Sequence, residues 1–183
     1  MRLAIDIDST LHHYWDQFSA AAKRRFGVDL PYEQQVTWAI ARLRPEQVKA
    51  CIAETHAERN VLAAEPYPGA VEALRRWKEA GHFIHVTTHR DTCAHDATAA
   101  WLDRIGAPYD ELYCSYDKVT RCREIGIDVL IDDSPVNLQR AIDEGIRAAT
   151  LVHPWNRDLV EEEDVIAADD WPSLERELAP FLA

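Results

Sequence analysis

The sequence predicts an α/β fold: a Rossmann-like parallel sheet flanked by helices, with a small helical cap inserted after the first strand. Three observations carry that expectation. From Ala70 to Val152, short apolar runs alternate with helical segments of about ten residues, the pattern of βαβ units. The stretch from about His12 to Ala64 breaks this alternation and carries helical signal only. The chain has 183 residues, enough for one domain with a modest insertion and for a core that needs no disulfide or metal.

The first strand is Leu3–Ile7, a buried apolar run that ends in acid. A polar helix follows from about His12 to Phe26, closed by Gly27. Tyr32 to Leu43 reads as helical on weaker signals, and Pro45 opens a helix that runs to about Arg59. Pro66-Tyr67-Pro68-Gly69 then punctuates the chain. Ala70, Leu74 and Trp77 sit at helical spacing up to Gly81, and Phe83–Thr87 is a strand. Ala97, Trp101 and Ile105 mark a helix ended by Gly106, before a short strand at Leu112–Cys114. Val119 to Ile125 is a short helix and Val129–Ile131 an apolar strand. Pro135 opens a helix whose Leu138, Ala141 and Ile142 share a face, closed by Gly145; Ala148–Val152 is a further strand. Glu161 to Asp170 reads as a solvated acidic segment, and Trp171-Pro172 starts a last helix. The expected division is a core of residues 1–11 and 65–183 with a cap of residues 12–64.

Composition narrows the function. Lys and Arg total 20 against 32 Asp and Glu, a net charge of −12. Such a chain is repelled by a nucleic-acid polymer, while a small phosphate ligand stays compatible with a locally positive site. Cys51, Cys93, Cys114 and Cys122 form no C-x-x-C pair, so they read as reduced thiols rather than as a zinc or redox motif. No signal peptide or membrane span is read, so the expectation is a cytoplasmic protein with no membrane partner. A homodimer is left open.

Ligands of open parallel sheets bind beyond the carboxyl ends of the strands. Those ends carry Asp6-Ile7-Asp8, then Thr87-Thr88-His89-Arg90, then Lys118 shortly after the third strand, then Asp132-Asp133. Four carboxylates at one sheet edge cannot all stay ionised without a counter-charge. A hard divalent cation such as Mg²⁺, with its preference for oxygen ligands, resolves that, and lysine adds a second positive charge. Cation, lysine and hydroxyls together make a site for a phosphate dianion. An aspartate facing the phosphate can act as nucleophile, and a second acid two residues on can move the proton. Taken singly, each residue has a plainer reading: a loop or cap aspartate, a strand threonine, a surface lysine. Their placement at successive strand ends is what favours chemistry. His12, His13, His89 and His95 show no zinc-ligand spacing.

These motifs resemble those of the haloacid dehalogenase (HAD) superfamily. Asp6-Ile7-Asp8-Ser9-Thr10-Leu11 is similar to its first motif, Val86-Thr87-Thr88 to its second, Lys118 to its third and Val129-Leu130-Ile131-Asp132-Asp133 to its fourth. Within it, the chain looks most like the 5′(3′)-deoxyribonucleotidase-like group, through the paired Asp132-Asp133, the helical insertion and Pro154-Trp155-Asn156. The resemblance implies a HAD-like core and an Mg²⁺-dependent phosphomonoesterase working through an aspartyl-phosphate on small phosphorylated metabolites such as nucleoside 5′-monophosphates. It implies Asp6 as nucleophile, Asp8 as acid/base, Lys118 as the pairing lysine, and Asp6, Asp8 (through its backbone carbonyl), Asp133 and Asp132 around the metal. The second-motif hydroxyl is Thr87 or Thr88, with Thr88 preferred. Ser9 stands where many relatives have glycine, and Asn137 where many carry a further acid. The presence of Asp8 argues against dehalogenase chemistry.

Candidate substrate contacts are Trp15, Phe18 and Trp38, with Tyr14, in the cap, and Arg90 in the second-motif loop; the plainer reading of the aromatic residues is cap core. Alternatives are a phosphatase of sugar or other metabolite phosphates, a phosphoacceptor signalling module, and a catalytically idle binding protein. A receiver-type module needs neither cap nor Asp8, and an idle protein would have lost a motif residue.

Overall fold

The computed structural model describes residues 1–182. Among them, β1 (Arg2–Ile5), β2 (Phe83–Thr88), β3 (Glu111–Cys114), β4 (Val129–Ile131), β5 (Arg147–Leu151) and β6 (Ile166–Ala168) form one sheet. The spatial order is β3-β2-β1-β4-β5-β6, and every pairing is parallel. The chain therefore winds outward from β1 in both directions, which opens a crevice beyond the carboxyl end of β1. The helices are α1 (Tyr14–Phe26), α2 (Pro45–Thr55), α3 (Glu58–Leu62), α4 (Ala70–Glu79), α5 (His95–Ile105), α6 (Lys118–Glu124), α7 (Pro135–Asp143), α8 (Arg157–Glu162) and α9 (Trp171–Leu182).

Alternation along the strands divides the core. Leu3, Ile5, Ile84 and Val86 pack with Leu74 and Trp77 of α4, Trp101 and Leu102 of α5, and Trp171, Leu174 and Leu178 of α9. Ala4 and Leu130 point the other way, onto Val119 and Cys122 of α6 and Ala141 of α7. The expected insertion has an apolar cluster of its own, in which Phe18, Ala21 and Ala22 of α1 meet Leu30, Leu43 and Cys51. All four cysteines are free thiols, three of them buried. Among the described residues no helix is long and apolar enough to cross a membrane.

The structure departs from the sequence reading in three places. Tyr32 to Leu43 is not a helix: a single 3-10 turn at Tyr32–Gln34 gives way to a loop held by Gln35, whose amide nitrogen donates to the carbonyls of Thr37 (2.6 Å) and Ala39 (3.1 Å). The helix from Pro45 ends at Thr55 and resumes as α3, broken at His56-Ala57. The acidic segment from Glu161 is not simply solvated, since it holds the end of α8 and β6, which adds an outer strand beside β5.

Two details fix how the start of α9 is seated. Gly69 has φ +86°, and a Cβ there would lie 2.9 Å from Pro172 at the start of α9, so only glycine fits. Trp171, fully buried, packs on Trp77 and donates its indole N–H to the carbonyl of Thr10 at 2.8 Å. The last helix thus pins the first motif from below. Trp171→Phe keeps most of the packing but strands that carbonyl, and should cost about 1–3 kcal/mol. Trp171→Ala should cost about 3–5 kcal/mol. Urea unfolding of both variants reads the difference; a Trp171→Phe variant as stable as the parent would mean that the hydrogen bond contributes nothing.

Candidate active site

Strand register assembles the site. Ala4 and Ile5 pair with His85 and Val86 of β2 and with Leu130 and Ile131 of β4. Carried one residue further, the same register sets Asp6 between Thr87 and Asp132. Register neighbours project to the same face, here the face covered by α6. The Asp6 amide still donates to the Ile131 carbonyl at 2.9 Å, which keeps the row in line past the end of the strand.

Lys118, the first residue of α6, reaches this row. Its buried ammonium lies 2.6 Å from Asp6 Oδ1 and 2.6 Å from Asp132 Oδ2. Burial alone would strip its proton, but Asp132 and Asp6 hold it on, above an ordinary lysine. Asp132 is fully buried and further held by the Ser134 amide (2.9 Å) and the Asn137 side-chain amide (3.2 Å). Asn137, standing where an acid is often found, is therefore a donor to Asp132. Asp133 receives the Trp155 indole N–H at 3.2 Å.

One ammonium cannot neutralise three buried carboxylates. Burial, with Asp132 and Asp8 adding and Lys118 opposing, pushes Asp6 up to about 7. Burial and the charges of Asp6 and Asp132 push Asp133 well above the usual carboxylate range. Asp6, Asp132 and Asp133 each offer an oxygen within 4.8 Å of the others. Clustered hard oxygen donors with uncompensated negative charge suit a hard divalent cation; the residues fit Mg²⁺.

Asp8 lies in the opposite environment. Arg90 Nη2 donates to Oδ1 at 2.6 Å and Nε reaches both oxygens at 3.2 and 3.3 Å. His12 Nε2 lies 2.8 Å from Oδ1 and His56 Nε2 3.1 Å from Oδ2. Burial would raise Asp8, but Arg90 and the two imidazoles overcome it and hold the carboxyl well below its ordinary range. Arg90 is 2% exposed and does not line the cavity, contrary to the expectation of a substrate contact. Its guanidinium is consumed by Asp8 and Thr98.

The two threonines separate by face. Thr88 Oγ1 is turned to the Arg90 amide, at 3.4 Å, away from the Asp6 row. Thr87 shares that row, is fully buried, and its hydroxyl has no partner among the described residues. The structure thus leaves Thr87, not the preferred Thr88, with an unused hydroxyl on the face of Asp6.

A cavity of about 390 Å³ opens over the row, lined by Asp6, Asp8, Lys118, Asp132 and Asp133 at its floor. Its wall comes from the insertion, with Trp15, Phe18 and Trp38 all on it, alongside Ile40, Val48 and Ile52. The three expected aromatic contacts differ in kind. Phe18 is buried in the insertion's own apolar cluster. Trp15 is partly buried and donates its N–H to the Leu30 carbonyl. Trp38 is 44% exposed.

Sequence reasoning missed His56, the use of Arg90 and His12 on Asp8, and a relay behind Ser9. Ser9 is buried with φ +61°, the conformation glycine favours. His153 Nε2 lies 2.7 Å from the Ser9 carbonyl and Nδ1 lies 2.7 Å from the Tyr32 hydroxyl. Burial pushes His153 down to about 4, so the neutral ring donates to Ser9 and accepts from Tyr32. Pro154-Trp155-Asn156 was singled out without a role; Asn156 ties the Asp133 carbonyl to Thr150.

Comparisons with known proteins bear on the family and the fold. Residues 1–178 match the family described as 5′ nucleotidase, deoxy (pyrimidine), cytosolic type C protein (NT5C). A candidate 5′(3′)-deoxyribonucleotidase of Chlorobaculum tepidum is 24% identical over 172 residues, 87% of this chain and 82% of that one. Among solved structures, a HAD family hydrolase from Deinococcus radiodurans R1 with bound phosphate and sodium superposes with a TM-score of 0.72 at 14% identity, covering 98% of this chain and 95% of that one. A haloacid dehalogenase-like protein from Streptococcus pneumoniae superposes at 0.69 and 16% identity, over 100% and 98% of the two chains. At these identities the structural likeness establishes the fold.

The charge imbalance is measurable as stability. A carboxyl whose folded-state affinity for protons is raised contributes stability below its unfolded value of 3.8 and loses it as pH rises through its folded value, about 7 for Asp6. Buried histidines held low, such as His153, act in the reverse sense, so the reading is the variant against its parent. Asp133→Asn should gain stability relative to the parent as pH rises from about 5 to 8, and Mg²⁺ should stabilise the parent more than the variant. A pH-independent difference in denaturation midpoint would reject the uncompensated-charge account.

Proposed function

The chain belongs to the 5′ nucleotidase, deoxy (pyrimidine), cytosolic type C family of HAD-like hydrolases, and from that premise we propose that it is an Mg²⁺-dependent phosphomonoesterase acting on nucleoside 5′-monophosphates. Phosphatase-type, nucleotidase-like hydrolysis follows from the family. The cation, the covalent intermediate and the nucleotide are our reading. The observation that carries it is one cavity in which the Asp6–Lys118 pair forms the floor and an apolar, aromatic wall faces it.

In this reading an oxygen of Asp6 attacks phosphorus as the bond to the ester oxygen breaks, giving an aspartyl-phosphate. Lys118 holds the attacking carboxylate in place and faces the phosphoryl oxygens, and the Thr87 hydroxyl donates to one of them. Asp8 gives its proton to the leaving oxygen, then takes one from the water that attacks phosphorus, releasing orthophosphate and restoring Asp6. The resting geometry holds Asp8 as a carboxylate; an arriving phosphate dianion adds negative charge beside it and raises its proton affinity. Asp6 and Asp133, with the Asp8 carbonyl and Asp132 in support, would hold Mg²⁺. When bound, the cation supplies the positive charge that the carboxylates and phosphoryl oxygens lack.

The wall favours a nucleoside over a sugar phosphate. Above the floor it is mainly aromatic and aliphatic, with Gln35, Thr37 and His56 the insertion's polar side chains there besides Tyr14. A polyhydroxylated ligand would find few partners along that wall for the hydrogen bonds it gives up to water, whereas a flat base finds stacking partners. The expected core–cap division, residues 1–11 and 65–183 against 12–64, gives the wall to one unit and the floor to the other.

The test is a phosphatase screen over metabolite esters with Mg²⁺, including 5′- and 3′-nucleotides. Nucleoside 5′-monophosphates should lead, EDTA should abolish turnover, and Asp6→Asn should remove it without loss of fold. Asp8→Asn should slow turnover roughly 10²–10⁴-fold. Because Trp38 lies outside the buried cluster, Trp38→Ala should lower kcat/KM for the nucleotide by about 5- to 150-fold, the worth of one stacking contact, and lower it less for p-nitrophenyl phosphate. Full turnover in excess chelator, or equal loss on both esters, would discard the cation or the stacking assignment respectively.

A further inference from the structure

We infer that His56, carried by the insertion, and Arg90, carried by the core, are the positioning residues of Asp8, so that the insertion helps to aim the acid/base side chain as well as walling the cavity. The inference rests on the phosphatase reading and names a device within that site.

The two oxygens of Asp8 are held differently. Oδ1 is gripped by Arg90 Nη2 at 2.6 Å, from the core, and by His12 Nε2 at 2.8 Å, at the very start of the insertion, and both of those residues are almost completely buried. Oδ2 receives His56 Nε2 at 3.1 Å, from a residue 48 positions away in sequence, besides the longer 3.3 Å reach of Arg90 Nε. His56 also lines the cavity beside Asp8. A carboxylate on two rotatable bonds, held mainly at one oxygen, can still swing the other; His56 adds a second and shorter grip on Oδ2, from the insertion.

The insertion holds His56 firmly. It follows directly on α2, at the break that separates α2 from α3. Thr55 before it returns its hydroxyl to the Cys51 carbonyl at 3.1 Å and meets the Tyr14 hydroxyl at 3.0 Å. The Tyr14 ring lies 5.7 Å from the His56 ring. Residues of α1 and α2 thus set the imidazole, and the imidazole sets Oδ2. The break between the two helices is where it has to be for the ring to reach the core.

A mere tie between insertion and core would affect every substrate alike. An aiming role would not, up to departure of the leaving group, because an alkyl ester needs its leaving oxygen protonated whereas p-nitrophenolate leaves as an anion; kcat/KM reports those steps and excludes the later water attack, which both esters share. The experiment compares kcat and KM of the Mg²⁺-loaded enzyme on a nucleoside 5′-monophosphate and on p-nitrophenyl phosphate, for the parent, His56→Leu and His56→Gln. Displacing a reacting group by about 1 Å can cost 10²-fold. His56→Leu should therefore lower kcat/KM on the alkyl ester about 10- to 100-fold, at least tenfold more than on the aryl ester. His56→Gln, whose amide N–H reaches the same oxygen, should restore most of the loss. Equal falls in kcat/KM on both esters, a fall in His56→Gln as deep as in His56→Leu, or no fall at all would overturn the inference while leaving the phosphatase reading intact. A parent that hydrolyses neither ester would overturn that reading, and the inference with it.

Discussion

The ammonium of Lys118 between Asp6 and Asp132 is the contact on which the rest of the site depends. A lysine buried this deeply keeps its charge only because two carboxylates face it. Those carboxylates in turn are adjacent only because parallel register carries Ile5 and Ile131 one step further in phase. Remove the cation and three acids would share the crevice floor; remove either paired acid and the buried cation would keep only one of its two partners. Fold and charge are locked together here: the sheet's winding places the strand ends side by side, and α6 starts where its first side chain can reach them.

How legible was this in the sequence? The strand ends were, because an apolar run stopping in acid is a local signal and needs no partner to be read. Asp6, Asp8, Lys118, Asp132 and Asp133 all lie at the crevice floor for that reason. What was not legible depends on contacts distant in sequence. Arg90 looked free beside its own strand, but its charge is spent on Asp8, 82 residues away. Thr88 and Thr87 differ only in face, which strand register decides and residue type does not. Gln35 turns a weakly helical stretch into a loop by bonding carbonyls two and four residues on, and β6 hides in an acidic run because it borrows its order from β5.

The cavity is a joint product. Its floor is polar because the sheet edge is; its wall is apolar because the insertion has to bury its own cluster and leaves Trp15, Trp38 and Ile40 on the side facing the crevice. The insertion is tied down at two sides of the first-motif loop, through Tyr32 and His153 to the strained Ser9 carbonyl and through His56 to Asp8. Ser9 holds a left-handed conformation that an L residue enters only at a cost, and the His153 bond and burial around it offset that cost. A loop this constrained gives the two aspartates on it little freedom of their own.

Those two aspartates, two residues apart, are driven in opposite directions. Asp6 lies with two further buried acids against one lysine and is pushed towards holding a proton; Asp8 has an arginine and two imidazoles to itself and is pushed towards losing one. A pair of carboxyls separated by their environments is how one site obtains two chemical roles from one residue type. Taken as a whole, the crevice sets four carboxylates, Asp6, Asp8, Asp132 and Asp133, against two cations, Lys118 and Arg90. The shortfall is not shared evenly, since Arg90 serves Asp8 and leaves the Asp6 side in deficit. If a divalent cation binds as proposed, its charge would fall on the deficient side, where Asp6, Asp132 and Asp133 cluster, while Asp8 keeps partners of its own in Arg90, His12 and His56. The asymmetry lies in the protein's own charges, with one lysine for three clustered acids and an arginine for the fourth.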